Sequence, residues 1–233
     1  MLRNNATREE VKIHADGVSL SGTLAIPQGA RAVILFVHGS GSSQHSPRNR
    51  FVAEVLTAKG MGALLFDLLT PAEEFIDHPK GALRFDIGLL ARRLVGATSW
   101  ILRNPLTKNL RVGYFGASTG AAAALVAAVE LQESIGAVVS RGGRPDLAGE
   151  ALSHVRAPTL LIVGGKDETV LRLNRVALAQ LTVPEKELVV IPGASHLFEE
   201  PGALQEVAQT AANWFSHCLT SEAPNSRLVK ALL

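Results

Sequence analysis

Cysteine is nearly absent: Cys218 stands alone among 233 residues. One thiol excludes an internal disulfide and a multi-cysteine metal site, so neither staple can hold the fold. Aromatic residues are scarce at 5%, and alanine, leucine and valine fill much of the 47% that is apolar. That composition suits small side chains packed between helices and a sheet, and leaves little room for disorder. Neither sign of charge dominates. The 23 basic and 21 acidic side chains leave a formal charge of +2, too weak a field to gather nucleic acid or an anionic membrane. No run reaches the roughly 18 apolar residues of a membrane-spanning helix. The opening MLRNNATREEVKIHADG has no apolar stretch of signal-peptide length. These absences together lead to the expectation of a soluble, cytoplasmic protein with no nucleic-acid or membrane partner.

The length fits one α/β domain, expected over 1–218, with 219–233 as a surface tail whose Leu228, Val229, Leu232 and Leu233 could dock. Residues 11–27 read as two short strands joined at Asp16-Gly17, a pair suited to a hairpin turn. The run AVILFV, from Ala32, is apolar without alternation, the mark of a strand buried on both faces. A helix should start with Ser46 as N-cap and Pro47 at its first position, and stop at Gly60. The strand GALLFDLL follows, then a polar loop near 70–83 and a helix from about Arg84 to Arg103. Next come the strand RVGYFG, an Ala-rich helix from Thr119, the strand GAVVS, a short helix after Pro145 and the strand APTLLIVGG. A helix after Thr169, the strand KELVVIPG and a final helix close the pattern. The last helix carries Leu204, Val207, Ala211, Trp214, Phe215 and Cys218 on one stripe. Strands alternating with helices predict a mostly parallel, twisted sheet of about eight strands, covered on both faces, with the opening hairpin as an antiparallel edge.

Gly116-Ala117-Ser118-Thr119-Gly120 matches G-x-S-x-G where a buried strand meets a helix. A serine on such a sharp turn projects its hydroxyl from the sheet, and small neighbours keep the strained backbone free of clashes. The helix starting at Thr119 aims its unpaired N–H groups at charge developing beside the serine. The plain alternative is an ordinary glycine-flanked turn. A serine hydroxyl also needs a base. Of the seven histidines, at 14, 38, 45, 78, 154, 196 and 217, only His196 lies just after the last predicted strand. Loops at the carboxyl ends of parallel strands share one rim, so His196 and Ser118 should face each other. Asp167, just past the preceding strand, would orient His196, with Glu168 as the fallback. Taken singly, His196 could be a surface histidine and Asp167 a helix cap. The loop His38-Gly39-Ser40-Gly41 ends AVILFV at the same rim, so backbone amides of Thr119 and Ser40, or else Gly41, would hold an oxyanion. His38 reads as a structural residue beneath that loop.

The set H-G-S-G, G-A-S-T-G, G-K-D-E-T-V and G-A-S-H resembles the α/β-hydrolase superfamily, and within it the dienelactone-hydrolase-like, carboxylesterase-type branch, over roughly residues 15–217. The resemblance implies an α/β-hydrolase fold with Ser118, Asp167 and His196 as its triad, acting on a small ester or lactone. One departure stands out, since dienelactone hydrolases proper use cysteine where this chain has Ser118. Only residues 141–156 separate GAVVS from the next strand, too few for a large cap domain. The pocket walls should come from Ser42 to Arg50, from the loop near 70–83, and from 140–144. Arg141 follows a strand directly and could bind a substrate carboxylate, or equally pair with Asp146, Glu73 or another loop acid. Gly41, His45 and Arg48 are further substrate-binding candidates. No metal or organic cofactor is required, and a monomer or homodimer would serve. The same triad would equally run a thioesterase, an amidase or an acyltransferase, and the fold could also persist as a binding scaffold. A dinucleotide fold is a weaker rival: Gly39-Ser40-Gly41 and Asp67 suit it, but Gln44 takes the third glycine position.

Overall fold

Alternate residues of the central strand enter different cores. In β3 (Ala32–Val37) all six residues are buried, yet Val33, Leu35 and Val37 join one apolar cluster while Ala32, Ile34 and Phe36 join the other. That period of two, hidden in a continuous apolar run, is what a sheet covered on both faces requires. In the computed structural model of the chain, residues 6–78 and 80–220 are described. They form an eight-stranded sheet in the order β1-β2-β4-β3-β5-β6-β7-β8. β1 (Ala6–Ala15) and β2 (Val18–Pro27) pair antiparallel over ten residues about Asp16 and Gly17, both at positive φ (47° and 77°), as the tight turn demands. β2 runs antiparallel to β4 (Gly62–Phe66); β3, β4, β5 (Arg111–Ala117), β6 (Ile135–Arg141), β7 (Thr159–Gly164) and β8 (Lys186–Ile191) are mutually parallel. The mostly parallel α/β sheet with its antiparallel N-terminal edge, and with no large cap, is therefore as the sequence predicted.

The helices divide between the two faces. α3 (Ile87–Arg103), α4 (Thr119–Leu131) and α5 (Glu168–Gln180) bury Leu94, Leu125 and Ala177 on one side. α1 (Pro47–Ala58) and α6 (Ala203–Phe215) bury Leu56, Val207 and Phe215 on the other. Each fully buried Leu, Val or Phe contributes about 1.5–3 kcal/mol relative to leaving it in water. α1 starts as its residues foretell: the Ser46 hydroxyl accepts the Asn49 N–H at 3.4 Å, and Pro47 takes the first position.

Three expectations need correction. The polar loop near 70–83 contains a helix, α2 (Pro71–Asp77). Thr70 and Glu73 form a capping box, and Pro71 sits where no N–H is needed. The helix went unseen because it has only seven residues and no apolar stripe; Phe75 and Ile76 are exposed. α3 begins at Ile87 rather than about Arg84, because the Asp77 carboxylate takes the backbone N–H of Leu83 and Arg84 and Asp86 is the true N-cap. The segment Pro145–His154 is two 3-10 pieces broken at Gly149 (φ 55°), not one short helix.

The expected tail boundary at 219 also moves. A wide helical turn over Ser216–Thr220 prolongs α6 and carries Leu219 into the core, 1% exposed. There it covers Gly113 and Gly136, on whose Cα atoms a β-carbon would lie 2.9 Å and 2.5 Å from Leu219 methyl groups. Residues 221–233, with Leu228, Val229, Leu232 and Leu233, lie outside the described residues. Leu219→Ala should leave a cavity that two glycines cannot fill, at a loss of about 2–5 kcal/mol. Urea unfolding should show the midpoint falling with an unchanged slope; an unshifted midpoint would return Leu219 to the tail.

Candidate active site

Ser118 has φ 50° and ψ −124°, a conformation that an L-residue adopts only under constraint. The constraint comes from both sides of the sharp turn between β5 and α4. The Ser118 N–H donates to the Arg141 carbonyl at 3.3 Å, and the Ser118 carbonyl accepts from Arg144 N–H at 3.0 Å and Ala121 N–H at 3.1 Å. The flanking glycines leave no space for a side chain. A β-carbon on Gly116 would meet Ala121 Cα at 2.5 Å, and one on Gly120 would meet the Val37 carbonyl oxygen at 2.1 Å. A β-carbon on Gly39 would come within 2.8 Å of Ser118 Cβ, so the loop after β3 lies directly against the serine.

His196 and Asp167 meet on the same rim. Asp167 Oδ2 lies 2.6 Å from His196 Nδ1, while its Oδ1 accepts the Val170 N–H at 3.4 Å as the N-cap of α5. The cap and the histidine partner are thus one carboxylate, using a different oxygen for each task. Glu168 is exposed and is not the acid bound to His196. The His196 carbonyl and ring pack around Gly142, where a β-carbon would lie 3.1 Å and 3.6 Å away. Gly142 follows Arg141, the acceptor of the Ser118 N–H, so Ser118 and His196 flank one two-residue stretch of chain. The hydrogen bonds of the described residues do not include one between the Ser118 hydroxyl and His196.

Sequence reasoning overlooked the braces beneath these loops. Glu200 accepts the Ser195 N–H at 3.0 Å and the Ser195 hydroxyl at 3.2 Å, and those bonds hold its carboxyl below the usual range. Phe198, buried at φ 56°, tightens the same turn. Asp67, which suited the dinucleotide rival, is occupied by Gln44, whose backbone N–H and side-chain amide both reach it at 2.8 Å. With α1 starting only at Pro47, no helix opens on Gly41, and the dinucleotide reading fails on geometry. Sequence shows only that Gln44 lies in the loop after β3 and that Asp67 follows β4, not that they meet.

The Ser40 N–H, expected to be free for an oxyanion, donates to Thr119 Oγ1 at 3.0 Å. Thr119 itself is buried at the first position of α4. A cavity of about 540 Å³ opens beside this loop, walled by Ser40, Gly41, His45, Arg48, Glu74 and Arg84 among others. Two of the expected walls, 42–50 and 70–83, line it; 140–144 do not. The exposed His45 receives Arg50 Nη2 on its Nδ1 at 2.6 Å, and Arg48 reaches Glu199 at 3.5 Å.

Arg141 has neither of the ion pairs weighed for it. Asp146 is held by Arg144 (2.9 and 2.7 Å), and Glu73 by Arg93 (2.7 Å). Arg141 is 8% exposed, and its Nε and Nη1 are buried without an acceptor, as is Nε of Arg48. Burial, with the Arg48 charge adding to it, pushes Arg141 down to about 10, so it stays cationic at neutral pH. Cys218 has no place at the rim: it lies beside Glu185 ahead of β8, and burial pushes its thiol up to about 12. Among the described residues no cluster of three or more His, Cys, Asp or Glu side chains could hold a metal ion, and no helix is long and apolar enough to cross a membrane.

Comparison with known proteins follows the geometry. The family model for the Dienelactone hydrolase family matches residues 20–220. The crystal structure of a dienelactone hydrolase from Anabaena variabilis is 61% identical, covers 92% of this chain and 99% of its own, and superposes with a TM-score of 0.90. Est1E from Butyrivibrio proteoclasticus shares the fold at a TM-score of 0.76 with 15% identity, over 91% of this chain and 99% of its own. Two Mycobacterium tuberculosis proteins, one from each of two strains and both named "Putative phosphoribosyl transferase", are 56% identical over 218 residues. Those residues are 93% of this chain but 48% of theirs, so the chain spans about half the length of these relatives.

His38 secures the loop that all of this depends on. Its Nε2 accepts the Leu68 N–H at 3.1 Å, which leaves the ring proton on Nδ1 to donate to the Gly39 carbonyl at 3.0 Å. Burial holds His38 below its ordinary imidazole value, against the Gly39 carbonyl and the Asp67 charge, which pull it up. The folded state therefore binds the proton less readily than the unfolded chain. Its contribution to stability is intact above the unfolded value, about 6.5, and is lost as pH falls below that toward the depressed folded value. Urea midpoints should drop on acidification through this window, and His38→Gln should lower the whole curve while flattening that segment. An equally steep segment in the variant would assign the acid sensitivity elsewhere.

Proposed function

The chain belongs to the dienelactone hydrolase family, and from that premise we propose that it is a serine hydrolase of small esters or lactones, with Ser118 as nucleophile, His196 as base and Asp167 as the residue orienting the base. The observation that carries this reading is the 2.6 Å Asp167–His196 contact on the rim where the strained elbow presents Ser118. Asp167 holds Nδ1 of the imidazole, which leaves Nε2 to take the hydroxyl proton. Ser118 then attacks the ester carbonyl, and the resulting oxyanion draws on the amides of Thr119 and Ser40. His196 returns the proton to the leaving alcohol, and water repeats the cycle to release the acid. The serine, where dienelactone hydrolases proper use cysteine, makes this base essential, because a hydroxyl is a far weaker nucleophile than a thiolate unless its proton is removed.

The unpaired guanidinium of Arg141 supports a substrate that carries an anion. A buried cation without a partner is destabilising, and an anionic group arriving with the substrate would relieve it. Arg48, which repels Arg141 and lines the 540 Å³ cavity, would share that group from the cavity side. His45 and Gly41 border the same cavity, where they would meet the rest of the substrate.

Hydrolysis of p-nitrophenyl butyrate should be measurable in the wild type. It should fall to background in Ser118→Ala with the circular-dichroism spectrum unchanged, and by several orders of magnitude in Asp167→Asn. Retained turnover in Ser118→Ala would sink the assignment. The ratio of kcat/KM for mono-p-nitrophenyl glutarate to that for the butyrate should drop about 10- to 100-fold in Arg141→Gln, the worth of one charge-assisted hydrogen bond. A ratio that stays put would leave Arg141 without a role in recognition.

A further inference from the structure

The bond between Ser40 and Thr119 joins residues 79 apart and ties the loop after β3 to the nucleophile elbow. That loop is braced elsewhere by backbone and buried side chains. His38 holds Gly39 and Leu68, Ser42 N–H donates to the Gly39 carbonyl at 3.2 Å, and Gln44 is pinned to Asp67. Between these anchors no side chain packs at Gly41, which is exposed, has φ 72°, and has open space where a side chain would be. Ser40 N–H is fixed by the Thr119 hydroxyl. Threonine at the first turn of a helix commonly turns its hydroxyl to water or to its own helix. Here it is 4% exposed and accepts an N–H from a distant loop.

We infer that the Thr119 side chain is a positioning residue for the oxyanion loop, holding the Ser40 amide in register with the elbow in the resting protein and yielding it to the substrate oxygen. This rests on the serine-hydrolase reading above. Thr119 Oγ1 lies 3.0 Å from Ser40 N, the distance at which a useful donor meets an oxyanion. One N–H makes one strong, linear bond, so the Thr119 hydroxyl and a substrate oxygen would compete for the Ser40 amide. The hydroxyl satisfies an N–H that would otherwise go unpaired in a half-buried loop. Rotation about the Thr119 Cα–Cβ bond then frees the amide already aimed. The donor needs no reorganisation as charge develops. The two roles of Thr119 are separable, since its own backbone N–H acts directly on the oxyanion and its hydroxyl acts through Ser40.

Thr119→Val keeps the shape and removes the acceptor, and Thr119→Ser keeps the acceptor. With p-nitrophenyl butyrate, Thr119→Val should lower kcat about 10- to 100-fold with KM nearly unchanged, less than the roughly 10²–10³-fold loss typical of deleting an oxyanion donor. Thr119→Ser should restore most of the rate. Backbone amide exchange at Ser40 should be slow in the wild type and in Thr119→Ser, and fast in Thr119→Val. A Thr119→Val enzyme as fast as the wild type or faster, a loss that serine fails to rescue, or Ser40 exchange indifferent to the substitution would each overturn the inference. The exchange measurement needs no turnover. If the wild type hydrolyses no ester, the proposed function fails while the Ser40–Thr119 coupling is still decided.

Discussion

The strained backbone of Ser118 is the constraint to which the rest of the rim is fitted. A φ of 50° at a non-glycine residue persists only where the surroundings over-determine it. Here three backbone hydrogen bonds hold Ser118, and three glycines let neighbouring chains approach closely enough to make them. Gly116 admits the first turn of α4, Gly120 admits the end of β3, and Gly39 brings the loop after β3 to the serine. The elbow's geometry is therefore a property of β3, β5 and β6 together. The Arg141 carbonyl that receives the Ser118 N–H belongs to β6, so the register of that strand helps set where the hydroxyl stands.

Around this fixed point, the loops on the rim are braced mainly by polar groups rather than by apolar packing. His38, Asp67 and Glu200 each spend their capacity on backbone amides of the loops that carry the candidate site. Such bonds orient chain segments that are too glycine-rich to be fixed by side-chain volume. The same economy explains Asp167, which caps α5 with one oxygen and holds His196 with the other. Arg141 breaks the pattern. The buried Arg93, by contrast, finds both a counter-charge in Glu73 and the Ala15 carbonyl. Among the described residues the charge acting on Arg141 is that of Arg48, of its own sign, and that imbalance separates it from the structural charges.

The amino-acid sequence by itself determined the strand and helix alternation, the parallel sheet with its antiparallel edge, and the order of the four rim motifs. These are legible because hydrophobic period, glycine placement and capping residues act over a few neighbours along the chain. Asp16-Gly17, Ser46-Pro47 and G-A-S-T-G each carry their own conformational instruction. The capping box at Thr70 and Glu73 was equally local, and α2 escaped notice only because the helix it starts buries no apolar stripe. Tertiary structure alone decided the partners. It gave Asp146 to Arg144 and Glu73 to Arg93, leaving Nε and Nη1 of Arg141 without an acceptor among the described residues, and it turned Ser40 N–H onto Thr119. It also drew Leu219 over two glycines of the sheet. Each of these outcomes depends on which of several nearby groups comes within about 3 Å. That distance is set by strand register and loop path across dozens of residues, and no short stretch of sequence encodes it.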